Sequence, residues 1–91
     1  MPYIKPERRK YFDERINNMF CEALLETCSM GIGDLNYIVT RLCRQYLNRG
    51  EKNYAALNEI IGMLECAKLE LYRRKVVPYE EQKISENGDV Q

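Results

Sequence analysis

The run from 33 to 50, GDLNYIVTRLCRQYLNRG, constrains this chain most, because a helix start, an apolar stripe and a helix stop fall within one stretch. Leu35, Ile38, Val39, Leu42, Tyr46 and Leu47 recur at the three-and-four spacing of one helical face. Asp34 is placed to cap the first free amides, which gives a helix from about Leu35 to Arg49. Gly50 can then end it in the left-handed conformation.

Two more helices flank this one. The first is expected to start near Pro6 or Glu7, where proline is preset for a first turn and an acid suits the positive helix end, and to run to about Cys28. Phe12, Ile16, Met19, Phe20, Ala23, Leu24 and Thr27 form its apolar stripe. Gly31 and Gly33 let the chain reverse, with Ile32 as a hydrophobic staple before Asp34. Asn53 is the cap candidate for the third helix, whose stripe is Leu57, Ile60, Ile61, Leu64, Ala67, Leu71 and Val76. That helix should stop before Pro78, since the residue before a proline avoids helical geometry. Gly62 and Cys66 are small and one turn apart, so another helix can approach there, either within the chain or across a symmetric dimer seam. From Pro78 onward the composition reads as a solvated tail, with a short hairpin at Asn87-Gly88 between Ile84 and Val90 as the alternative. The expected fold is all-α: an antiparallel three-helix unit over residues 1–77 with a polar tail over 78–91.

At 91 residues such a unit buries little of its apolar surface, so self-association is expected, through the third helix and an apolar part of the first. Fourteen basic residues balance fourteen acidic ones, which disfavours non-specific nucleic-acid binding. There is no apolar run of the ~18 residues that a membrane helix needs, and charges occupy the amino-terminal stretch where a signal peptide is apolar. The sequence therefore reads as cytoplasmic, without a membrane partner. Cys21, Cys28, Cys43 and Cys66 fall in helical stretches and no histidine is present, so they read as reduced small hydrophobes. Two disulfides or a four-thiolate metal site are the alternatives.

Without histidine, acid–base chemistry near neutral pH would need a strongly perturbed carboxylate, cysteine or lysine. Glu22 and Glu26 lie one turn apart, but on a solvent face. The serines and threonines have no neighbouring base, and Gly31-Ile32-Gly33 lacks the strand and lysine of a phosphate loop. No enzyme and no cofactor is expected. The one chemical constellation is basic and aromatic: Lys68, Tyr72, Arg73, Arg74, Lys75 and Tyr79. Arginine forks suit phosphates and tyrosine rings stack on bases. With antiparallel second and third helices, Arg41 is the nearest residue of the second helix's basic edge, which also holds Arg44 and Arg49. Arg41, Tyr72, Arg73, Arg74, Lys75 and Tyr79 are thus the candidate ligand-binding residues. Against this stands a plain solvated surface, since Glu70 with Arg74 and Glu65 with Lys68 have helical pairing distances. Seven tyrosines, among them Tyr3, Tyr11, Tyr37, Tyr46 and Tyr54, also suit an interface, several of them as residues at the edge of a core.

The motifs GDLNYIVT at 33–40, LECAKLELYRR at 64–74, PYE at 78–80 and ENGDV at 86–90 resemble a family of short uncharacterised helical proteins of phages and bacteria. That resemblance covers most of the chain and carries no activity with it. The last third, an alanine-containing helix leading through arginine and valine to Pro78 and an acid, is similar to small helical phage sponge proteins that sequester nucleotide immune signals. This second resemblance implies a non-enzymatic oligomer that binds a small anionic nucleotide. A helical adaptor for a host or phage protein is the alternative, and a nucleic-acid-binding accessory protein the third.

Overall fold

The computed structural model describes residues 2–22, 30–50 and 53–90, and every regular element within them is helical. Pro6 opens α1 (Pro6–Glu22) with Glu7 in its first turn, as the sequence indicates. The stretch 23–28, expected to continue this helix, lies outside the described residues, as do the Glu22–Glu26 pair and the thiols of Cys21 and Cys28. α2 spans Ile32–Asn48 and α3 spans Tyr54–Leu71. A five-residue π turn, Tyr72–Val76, then leads directly into α4, Val77–Asn87.

The start of α2 differs from expectation. Gly31 is the capping residue, with extended backbone, and Ile32 is the first helical residue and almost fully exposed, so it makes no staple. Asp34 sits inside the first turn and reaches back, its Oδ2 accepting the Gly31 N–H at 2.9 Å. A carboxylate three residues into a helix can satisfy a free amide from within as well as from ahead of it. At the other end Arg49 closes the helix in right-handed geometry, and Gly50 does not adopt a positive φ. Asn53 does cap α3, its Oδ1 accepting the Ala56 N–H at 2.8 Å.

The largest departure is at Pro78. The expected helix stop and the expected tail or hairpin are both replaced by one helix running from Tyr54 to Asn87, so the boundary placed at 77/78 falls inside it. Proline lacks an N–H, and its ring collides with the carbonyl four residues back, here that of Arg74. The π turn removes the conflict by taking in an extra residue, so that the Val77 N–H bonds the Tyr72 carbonyl, five residues earlier. Pro78 then stands in the first turn of α4, where its missing donor is not needed. Asn87-Gly88, read as a hairpin turn, is instead a helix stop: Gly88 takes φ 87° and its N–H bonds the Ile84 carbonyl at 2.8 Å. At 1.5 Å per residue this helix is about 50 Å long, in keeping with the longest molecular extent of 50 Å.

Packing is sparse. α2 lies against α3, and α1 meets none of the other helices among the described residues. Among the described residues two side chains are buried, Cys43 of α2 and Ile60 of α3, each 9% exposed. Ile38, Leu47 and Leu64 are half-buried around them, whereas Leu42 and Tyr46, expected in the core, are 64% and 59% exposed. A single line of contact between two helices covers a narrow strip of each, and the α2 stripe is wider than that strip. A Cβ added at Gly62 would meet open space, so the close intramolecular approach expected there does not occur among the described residues. Cys43 and Cys66 are free thiols, the first buried and the second exposed. The radius of gyration is 17.3 Å, against about 12 Å for a compact chain of this length.

Candidate functional site

The basic and aromatic residues singled out in the sequence occupy the π turn and its flanks. Tyr72, Arg73, Arg74 and Lys75 are consecutive in one turn, and Tyr79 follows in the first turn of α4. Their placement follows from Pro78, which forces the wide turn just ahead of itself. Four consecutive residues of a helical turn project around nearly its whole circumference, so they do not converge on one ligand from this helix alone.

Glu70 organises one side of the turn. It accepts a hydrogen bond from the Tyr3 hydroxyl, which brings the amino-terminal segment onto the long helix, and another from Arg73 Nη2 at 2.8 Å. The Tyr3 hydrogen bond, with Arg73 and Arg74 beside it, holds the Glu70 carboxyl below its usual value against the opposing effect of desolvation. The same hydrogen bond, together with desolvation and the Glu70 charge, holds the Tyr3 hydroxyl above its usual value. The expected Glu70–Arg74 pair is thus replaced by Glu70–Arg73, while Glu65–Lys68 forms as expected at 3.0 Å. Tyr3 had no local signal: its partner lies 67 positions away, beyond the reach of any periodicity.

Arg74 and Lys75 have no ion-pair partner among the described residues. Tyr79 is exposed and carries the Lys83 ammonium 5.5 Å from its ring centroid. Arg41 stands apart from these residues. It lines a shallow depression on α2 with Arg44, Gln45 and Asn48, and α2 touches α3 without reaching the π turn. The structure therefore groups Tyr72, Arg73, Arg74, Lys75 and Tyr79 on one segment and leaves Arg41 outside it.

A second surface was not singled out in the sequence. Leu42, Cys43, Tyr46, Glu59, Ile60 and Met63 line a groove of about 450 Å³ along the α2–α3 contact. Its signal was the width of the α2 stripe, which exceeds what one neighbouring helix can cover. Among the described residues there is no cluster of three histidine, cysteine or acidic side chains fit to hold a metal, and no helix long and apolar enough to cross a membrane.

Fold and surface together define a small, open, all-helical chain with exposed apolar faces and a basic π turn. The chain belongs to the family described as Domain of unknown function (DUF6899), whose model matches residues 1–90. No curated protein and no solved structure matches it.

Proposed function

We propose that the chain is a non-enzymatic helical interaction protein that completes its core against another protein chain. The observation that carries this reading is its surface. The accessible area is 8557 Å², whereas a compact monomer of this mass exposes about 5,500 Å². The excess, roughly 3,000 Å², falls in the range that obligate complexes bury. Apolar side chains supply much of it, among them Ile16, Phe20, Leu42, Ile61, Leu69 and Leu71. Ordering each residue costs about 1–2 kcal/mol, and the two side chains buried among the described residues offset little of that. The helix pair α2–α3 is read as antiparallel and the assembly as cytoplasmic.

The test is thermal unfolding of purified protein over a range of concentrations, paired with light scattering. A Tm that rises with concentration, or on adding a captured partner, is the expected result. A monomer whose Tm is independent of concentration and of every added chain overturns the reading.

A second reading is a phage-type sponge for a small anionic nucleotide, favoured by Arg74 and Lys75, which lie between Tyr72 and Tyr79 and have no ion-pair partner among the described residues. Arginine and lysine would take the phosphates and a tyrosine the base. Because these side chains diverge, the pocket would need a second surface. Replacing Arg73 and Arg74 together with glutamate should abolish nucleotide binding while leaving helicity intact; unchanged binding excludes the site.

A further inference from the structure

The long helix is covered unevenly. α2 lies against α3 near Cys43 and Ile60, whereas no other described helix packs on the π turn or on α4. Along this half, which the amino-terminal segment meets at Glu70 through Tyr3, Leu69, Val77 and Ile84 are all exposed apolar residues. Val77 and Ile84 are seven apart and share a face in an α-helix. Leu69 and Val77 are eight apart, and in an uninterrupted α-helix they would stand about 80° out of line. The extra residue taken in by the π turn restores their alignment, so the three form one stripe. Tyr72 and Val76 border it on one side and Arg73 on the other.

We infer that this stripe is the docking surface for a second copy of the same chain, packed antiparallel about a two-fold axis passing near Val77. The inference rests on the association reading above and names the partner. Three observations carry it. The chain exposes 8557 Å² against about 5,500 Å² for a compact monomer of its mass, an excess in the range that a stable dimer buries. Fourteen positive and fourteen negative charges leave no net repulsion between copies. The charge order along the helix is self-complementary: Arg73, Arg74 and Lys75 in the middle are followed by Glu80 and Glu81. A parallel pair would set Arg73, Arg74 and Lys75 beside their own counterparts. An antiparallel pair centred on Val77 sets Arg73 against Glu81 of the second copy, Leu69 close to its Ile84, and Val77 against itself. Each of these contacts occurs twice, as an isologous interface requires, apart from the one on the axis.

A residue on a two-fold axis meets its own copy, which gives a sharp test on the full chain. The Val77→Cys variant should form a reducible dimer under mild oxidation in high yield, whereas the native chain, with its own cysteines, and a Glu59→Cys control should not. As a second measurement, Arg73→Glu and Glu81→Arg should each weaken the dimer about tenfold, two ion pairs being lost at once. The double variant should restore it, because the exchanged charges again face each other across the axis. A dimer that ignores both charge reversals and shows no preferential cross-link at position 77 overturns the inference while leaving association standing. A native chain that stays monomeric with a concentration-independent Tm overturns both.

Discussion

Tyr3 and Glu70 are joined by a hydrogen bond across 67 positions of sequence, the contact that ties the amino-terminal segment to the long helix. The carboxyl is held below its ordinary value of 4.5, so the folded state gains from it above that pH and loses the gain as pH falls through the lower, folded value. The hydroxyl is held above its ordinary value of 10.0, so its contribution is complete below that pH and is lost as pH rises through the raised value. The segment should therefore be docked across the neutral range and released at both extremes. Proteolysis near the amino terminus, followed against pH, should show a protected plateau, and Tyr3→Phe should abolish the plateau without changing the helix content of the remainder.

Ile60 and Ile61 are neighbours with opposite surroundings, the first buried against α2 and the second 63% exposed. Ile60→Ala should cost about 2–3 kcal/mol, toward the low end for a buried aliphatic because few atoms surround it. Ile61→Ala should change stability by less than about 0.5 kcal/mol. Paired denaturant titrations at one protein concentration check the contrast, and equal effects would show that α2 does not lie where described.

Asn53 caps α3 through the Ala56 amide. Asn53→Ala should destabilise by about 1 kcal/mol, and Asn53→Asp should be close to neutral, because either side chain supplies the accepting oxygen. Chemical denaturation of the two variants reads this directly.

Pro78 is the residue that requires the π turn. In Pro78→Ala the missing donor returns and the ring clash disappears, so the turn can relax to α-helix. Helix content by circular dichroism should hold or rise. Residues 79–87 would rotate by about 100° relative to α3, breaking the line between Leu69 and Ile84, so dimer formation should fall while the helix survives. Association that persists unchanged in this variant would show that the alignment is not used.

Much of the helical architecture is legible in the sequence because helix signals are local. The start at Pro6, the cap at Asn53 and the stripe through Ile60 each depend on residues within a turn or two. Asp34 shows the limit of that reading: the sequence marks it as a capping residue, but whether it caps from outside or from within the first turn depends on the path of Gly31 and Ile32. Pro78 misled for a more instructive reason. Proline is hostile to an α-helix, but the penalty is local, and one extra residue in the preceding turn absorbs it. The candidate basic residues were found by composition, and their mutual directions were not, since spacing rules assume α geometry throughout. Tyr3 with Glu70, and the exposure of Leu42 and Tyr46, depend on how whole helices meet, which no short window contains.

The length of the helix from Tyr54 to Asn87 sets a distance as well as a shape. At 1.5 Å per residue, side chains near Asn58 and Glu86 stand roughly 40 Å apart, more than the width of a compact domain of this size. A group fixed near one end of the helix is therefore held about 40 Å from a group fixed near the other, a spacing set by the helix itself.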